Sequence, residues 1–139
     1  GKTVGIESDT SFCMFLPPRY GEQFALTLDS ATAYCTNPSP LGVTIAQDFP
    51  PNFMLSHTFT SNATAGYVQV TGTMDPFSGF RDPTFLDHGG VVDMKVNLGS
   101  SCFGYNSFVQ MANPHFEYFC IRCCTNASDC PSDLWDSGC

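Results

Sequence analysis

The chain has 139 residues, of which 42% are hydrophobic, and its formal net charge is −8. One domain of this length can bury a sizeable core, whereas two separate domains would each be too small. Thirteen acidic residues stand against five scattered basic ones. Binding to a phosphate backbone needs a basic patch, so the composition argues against a nucleic-acid partner. The acidity instead suits solubility in an extracellular medium.

The cysteines are the strongest signal in the sequence. They are Cys13, Cys35, Cys102, Cys120, Cys123, Cys124, Cys130 and Cys139. An even number in a short chain indicates a disulfide framework, and hence a secreted protein with all of its cysteines paired. Because six of the eight lie after residue 101, we expect Cys13 and Cys35 to find their partners there. The adjacent Cys123 and Cys124 should bond to different partners.

Two glycosylation sequons also predict an extracellular protein. They begin at Asn62 and Asn126, in polar surroundings that resemble turns. No positively charged leader precedes an apolar run, and no apolar stretch is long enough to cross a bilayer. We therefore expect a mature secreted glycoprotein without a membrane span.

The first half of the chain predicts short strands. Residues 2–11 are expected to form a polar arm that leads into a buried strand at 12–16, which two prolines end. Alternating apolar residues predict strands at 24–28 and 31–36, with a helix over 22–34 as the alternative. Residues 37–40 are expected to form a loop.

Stronger strand patterns follow in the middle of the chain. Residues 53–59 alternate, which places Phe53, Leu55, His57 and Phe59 on one side, and 66–72 is rich in β-forming residues between two glycines. These two segments are predicted to form a hairpin.

Residues 73–90 then predict a long irregular excursion, because Gly, Pro and Asp recur every few positions. We expect Phe77, Phe80 and Phe85 to pack there as a small core of its own.

The last part of the chain adds two predicted strands and one short segment with helical spacing. The strands are expected at 91–96 and 115–122, and a helix is considered only at 106–112. There Phe108, Val109 and Met111 would line one helical face. Altogether the pattern predicts a single all-β domain, a disulfide-stapled β-sandwich or small barrel with long irregular loops.

Asp87 and Asp93 are the only candidates for catalysis. They flank His88-Gly89-Gly90, near Asp75 and Asp82, and a glycosidase uses two carboxylates about 5 to 9.5 Å apart. Asp also precedes Gly and Pro in ordinary turns, where its side chain accepts backbone N–H groups. We favour the turn interpretation and therefore a protein that is not an enzyme.

The three histidines are candidates for metal ligands. Three-His sites exist, but the spacings between His57, His88 and His115 match no motif. The Cys-x-x-Cys spacing at 120–123 is expected to reflect disulfide bonding rather than zinc. We therefore predict no metal and no cofactor. Exposed aromatic residues could stack on sugars, and the candidates are Tyr20, Tyr67, Tyr105, Tyr118 and Trp135.

Six blocks of the sequence carry a resemblance. They are 13–18 (CMFLPP), 33–36 (AYCT), 66–72 (GYVQVTG), 87–93 (DHGGVVD), 101–105 (SCFGY) and 119–124 (FCIRCC). Together they resemble the small secreted cysteine-rich proteins of filamentous fungi, particularly mushroom-forming ones. The resemblance implies deposition near the cell wall or a lignocellulosic substrate, and it brings no catalytic residue with it.

These observations favour a non-catalytic extracellular fungal protein associated with the cell wall, the matrix or another surface. The first alternative is a carbohydrate-binding module or carbohydrate-active enzyme that uses the 75–93 loop and has polysaccharide as its partner. The second is self-association through exposed strand edges.

Overall fold

The computed structural model describes residues 1–80, 87–133 and 138–139. These residues contain eleven β-strands and no α-helix, which confirms the all-β prediction. The strands are β1 (Thr3–Val4), β2 (Ile6–Ser8), β3 (Ser11–Leu16), β4 (Thr32–Cys35), β5 (Gln47–Asp48), β6 (Met54–Asn62), β7 (Tyr67–Met74), β8 (Gly90–Asp93), β9 (Ser101–Cys102), β10 (Ser107–Asn113) and β11 (Tyr118–Cys124). In the described ranges, no helix is long and apolar enough to cross a bilayer.

The strands form three open sheets. The largest is antiparallel and has the order β6-β7-β11-β10-β8. A second sheet has the order β2-β3-β4-β5, in which only β4 and β5 run parallel. The short strands β1 and β9 pair in parallel. No sheet closes into a barrel within the described residues, which leaves the sandwich as the better description of the two predicted architectures.

One cluster of buried side chains joins the two larger sheets. It takes Phe12 to Leu16 from β3, and Phe119, Ile121 and Cys123 from alternate positions of β11. Cys120 and Cys124, at the other set of alternate positions, belong to a second cluster on the opposite face. This alternation is the one expected of a strand, whose successive side chains point to opposite faces.

Strand β10 replaces the helix considered at 106–112. Phe108 and Ala112 enter the main core, whereas Val109 and Met111 join the second cluster on the other face. Both faces of β10 are therefore covered, and every residue from Phe108 to Ala112 is buried. A strand buried on both faces shows no polar alternation in its sequence, so its apolar residues resembled one face of a helix.

The first thirty residues differ from the prediction in two places. The polar arm contains β1 and β2, which are held by pairing with β9 and β3. Residues 24–28 form turns instead of a strand or helix, with Thr27 N donating to Phe24 O and Ser30 N to Thr27 O. Leu26 is 76% exposed, so the apolar alternation there does not mark a buried face.

The hairpin of β6 and β7 is confirmed, with one correction. A bulge between Met54 and Ser56 shifts the register, so Phe53 is fully buried while Leu55 is 57% exposed. The prediction that Phe53 and Leu55 share one face of the strand is therefore wrong. Strand β6 lies at the edge of its sheet.

In the described part of the excursion after β7, the phenylalanines do not pack as a core of their own. Phe77 is 46% exposed. Phe80 is fully buried in the main core, where its ring contacts those of Phe24, Tyr34 and Phe53, each with a centroid distance of 5.7 Å. Phe85 and Asp82 lie outside the described residues. The next strand, β8, ends at Asp93, three residues earlier than predicted.

All eight cysteines are paired, as predicted. Bridges join Cys13 to Cys35, Cys102 to Cys123, Cys120 to Cys139 and Cys124 to Cys130. Adjacent Cys123 and Cys124 do have different partners. The expected link from the first two cysteines to the C-terminal part is wrong, because these residues lie directly opposite each other on β3 and β4. Cys35 on the neighbouring strand is a nearer partner for Cys13 than the six cysteines after residue 101.

Candidate functional site

Asp87 is a structural anchor. It is only 2% exposed. Its Oδ2 accepts a hydrogen bond from Phe24 N at 2.7 Å, and its Oδ1 accepts from Ala25 N and Gly89 N, both at 3.0 Å. A carboxylate with three backbone donors is well satisfied in a buried setting. Asp87 thus ties the start of β8 to the turns at 24–30.

Asp93 also caps a turn. Its Oδ1 accepts hydrogen bonds from Lys95 N at 2.9 Å and Val96 N at 2.8 Å. Asp75 does the same, because its Oδ1 accepts from Phe77 N at 3.0 Å. These contacts are the ones expected if the aspartates stabilise turns.

The structure brings two of the three histidines together. The rings of His88 and His115 are 4.5 Å apart, centroid to centroid. His57 lies on β6, and its ring contacts Phe12 at 5.3 Å. No group of three or more potential metal ligands occurs in the part of the chain that the structure describes.

Both sequon asparagines are exposed. Asn62 ends β6 at the hairpin tip, and its Oδ1 accepts a hydrogen bond from Ala65 N at 2.9 Å. Asn126 precedes a short 3₁₀ turn at Ala127–Asp129. Each side chain is placed where an attached oligosaccharide would face water.

An open groove of about 560 Å³ lies beside the hairpin tip. We call it the hairpin groove. Its walls come from five segments that are distant in sequence, namely Gly5 with the start of β2, the loop after β4, the β6–β7 hairpin, the turn after β9 and the residue after β11. They contribute Gly5, Ile6, Glu7, Pro40, Leu41, Ser61, Asn62, Ala63, Gly66, Tyr67, Val68, Phe103, Gly104, Tyr105 and Thr125. Its volume is in the range of about 300 to 1,000 Å³ that is typical of small-ligand sites.

The aromatic wall of the groove is held in place by the backbone. The Phe103 ring lies against Gly42, where an added Cβ would come within 2.3 Å of it. Phe103 N donates to Val4 O at 2.8 Å, and Tyr105 N donates to Cys102 O at 3.1 Å. Phe103 nevertheless remains 50% exposed. The groove therefore offers a fixed, half-exposed aromatic ring.

The polar wall is equally fixed. Glu7 Oε1 accepts a hydrogen bond from Leu41 N at 2.5 Å, which ties the loop after β4 to β2. Thr125 Oγ1 donates to Gly66 O at 2.7 Å. The ring of Tyr67 has the Arg122 guanidinium 4.0 Å from its centroid. An apolar ring beside a carboxylate and hydroxyl groups is the combination that suits a sugar, which has apolar faces and many hydroxyl groups.

The sequence identified only part of this site. It named Tyr67, Tyr105 and Asn62, but not Phe103, Glu7 or Leu41. The one local signal for Phe103 is its position between Cys102 and Gly104, in a turn where an aromatic ring is displayed. Of the other aromatic candidates, Tyr20 is 58% exposed, Tyr118 is half-buried, and Trp135 lies outside the described residues.

Comparisons with known proteins do not extend this picture. We found no protein-family model that matches the chain, and no curated protein and no solved structure with significant similarity to it.

Proposed function

We propose that this chain is a non-catalytic extracellular fungal protein that attaches to a neutral polysaccharide of the cell wall or matrix through the hairpin groove. The observation that carries the proposal is the half-exposed Phe103 ring, which packs against Gly42 and lines the same groove as Glu7. Four disulfides support an extracellular setting, since such bonds persist in oxidising compartments.

The charge of the chain favours a neutral ligand. A net charge of −8 repels polyanions, and Glu7 adds a negative charge to the groove wall. Sugar hydroxyl groups can donate hydrogen bonds to a carboxylate, whereas acidic sugars would meet repulsion. We therefore expect neutral glucans or chitin, rather than acidic polysaccharides, to be retained.

The Asn62 sequon affects how this is tested, because Asn62 itself lines the groove. A glycan on Asn62 would compete with a ligand at the same wall. Substituting Thr64→Ala removes the sequon and leaves the hydrogen bond between Asn62 Oδ1 and Ala65 N intact. The binding assay is therefore made on the full chain carrying Thr64→Ala, with its disulfides intact.

The assay measures depletion of this protein by insoluble cellulose, chitin and β-glucan, with an acidic polysaccharide as the charged comparison. Phe103→Ala should weaken retention at least about tenfold, as expected for the loss of a central aromatic contact. Phe103→Tyr should retain binding. Phe116→Ala is the matched control, because Phe116 is 70% exposed and lies outside the groove.

Three results would contradict the proposal. They are no retention on any neutral polymer, equal retention of the Phe103→Ala variant and the control, and release of soluble sugar from a polymer. The last result would instead favour the carbohydrate-active enzyme, including one that uses the 75–93 loop.

A second candidate function is self-association through β6. Within the described residues, β6 has only β7 beside it, and Met54–Asn62 contains no Lys, Arg, Asp, Glu or Pro. Charged residues and proline are the usual protection of an edge strand against pairing with another chain. Substituting Thr58→Lys and Thr60→Lys should abolish assembly in sedimentation, while Thr44→Lys in an exposed loop should not. A wild-type chain that stays monomeric at high concentration rules this candidate out.

A further inference from the structure

His88 and His115 form a pair on the protein surface. His88 follows Asp87, and His115 lies in the 3₁₀ turn Pro114–Phe116 that separates β10 from β11. Both side chains are exposed. Their ring centroids are 4.5 Å apart, and the His115 ring also meets the edge of Phe116 at 4.8 Å.

The backbone fixes the two histidines relative to each other. His115 N donates a hydrogen bond to Asp87 O at 3.0 Å. The buried Asp87 carboxylate in turn accepts from Phe24, Ala25 and Gly89. Gly89 adopts a φ of +69°, and a Cβ there would lie 1.7 Å from Ala112 O, so only glycine fits beside β10. The two loops are thus joined by rigid contacts.

The 3₁₀ turn that carries His115 is also capped at both ends. Asn113 Oδ1 accepts from Phe116 N at 3.3 Å, and Glu117 N donates to Pro114 O at 3.1 Å. Two imidazoles on rigid supports lose little freedom when they bind one ion, which favours chelation.

We propose that His88 and His115 form a two-histidine site for a borderline divalent metal ion of the Zn²⁺ class. Imidazole nitrogen is the commonest ligand for such ions, at about 2.0 to 2.1 Å for zinc. Water would complete the coordination, because both residues face solvent. The net charge of −8 raises the local concentration of cations. This proposal does not depend on the hairpin groove.

The test is a Zn²⁺ titration of the chelator-treated full chain at pH 7.5, followed through the imidazole Cε1–H resonances in NMR spectra. The chain has three histidines, so His57 serves as an internal reference. We expect the resonances of His88 and His115 to shift together and saturate at one ion per chain, while that of His57 stays unchanged.

Substitution then assigns the ligands. His88→Ala or His115→Ala should lower the Zn²⁺ affinity at least about tenfold, because one ligand cannot chelate. His57→Ala should leave it unchanged. Should an alanine variant fail to fold by circular dichroism, His88→Gln and His115→Gln keep a polar side chain and replace it. The proposal is overturned if all three resonances shift alike, if none shifts at millimolar Zn²⁺, or if a variant that carries both His88→Ala and His115→Ala binds Zn²⁺ as well as wild type does.

Discussion

Asp87 shows how one residue can hold an irregular segment in place. Residues 24–30 form turns, whose backbone donors are not paired in a sheet, and the Asp87 carboxylate satisfies Phe24 N and Ala25 N. Buried donors without partners cost about 1 to 3 kcal/mol each. The position of Asp87 therefore decides whether this part of the chain folds against β8.

Substituting Asp87→Asn should lower the free energy of unfolding by about 2 to 3 kcal/mol. Both Asp87 oxygens accept hydrogen bonds from backbone N–H groups. The NH₂ group of an asparagine would replace one of these acceptors and point toward a backbone N–H. Asp93→Asn should cost less than about 1 kcal/mol, because both of its hydrogen bonds from Lys95 N and Val96 N go to Oδ1, which an amide oxygen can replace. Urea unfolding measures both.

In the same variants, polysaccharide retention should equal that of the Thr64→Ala parent. Full stability with lost retention or turnover would show that these aspartates form an active site.

Tyr34 links stability to alkaline pH. Burial raises the pKa of its phenol above the ordinary value of 10.0, with further raising by Tyr20 and Glu22 and partial lowering by a hydrogen bond with Gln47. Burial likewise raises the pKa of Tyr118. Above about pH 10 the unfolded chain has lost these protons while the folded chain keeps them. Unfolding then releases protons, so stability is full below pH 10 and falls as the pH rises.

Tyr34→Phe should therefore flatten the loss of stability above pH 10, and adding Tyr118→Phe should flatten it further. At pH 7 the Tyr34→Phe variant should be about 1 kcal/mol less stable, because the hydroxyl donates to Pro17 O at 2.9 Å. Urea unfolding between pH 8 and 11 measures both effects. An unchanged slope would mean that neither phenol contributes.

At the scale of elements, β3 and β10 are joined by a side chain instead of a ladder. Gln110 is 1% exposed. Its Oε1 accepts from Phe15 N at 2.6 Å, and its Nε2 donates to Phe15 O at 2.7 Å. One amide thus satisfies both backbone groups of a residue in the facing sheet. This pair of bonds fixes how the two large sheets lie on each other.

Gln110→Leu should destabilise the fold by about 2 to 4 kcal/mol, although the volume is nearly kept. The reason is that Phe15 N and Phe15 O would remain buried without these partners. Thr44→Leu, at an exposed loop position, is the control and should change stability by less than about 1 kcal/mol. Equal midpoints in urea for the two variants would refute the role given to Gln110.

For the whole molecule, the disulfides reinforce separate regions. The bridge between Cys13 and Cys35 staples β3 to β4 inside one sheet. The other three bridges all start from β11 and bind β9 and the C-terminal segment to the largest sheet. No bridge joins the four-stranded sheet to the five-stranded one, so the common core and Gln110 hold these two together.

Replacing Cys13 and Cys35 together by alanine should cost about 3 kcal/mol, because this bridge closes a separation of 22 residues. Replacing Cys124 and Cys130 should cost about 2 kcal/mol, since the separation is 6. Chemical unfolding gives the difference. Alkylation of the wild-type chain without reductant should leave its mass unchanged, and a single labelled cysteine would contradict the pairing.

The sequence by itself determined the features that depend on neighbouring residues. The alternation of Phe119, Cys120 and Ile121 predicted β11, the glycine-bounded run predicted β7, and the parity of the cysteines predicted full pairing. An aspartate two residues before a glycine predicted the turn role of Asp87, because such side-chain hydrogen bonding acts over a few residues.

Only the tertiary structure decided which distant segments meet. It paired Cys13 with Cys35, covered β10 on both faces, buried Phe80 in the main core, and brought His88 to His115 and Phe103 to Gly42. Each of these contacts depends on how the sheets pack and on where the loops lie. Local periodicity indicates only that one face of an element is apolar, and it does not indicate which residues cover that face.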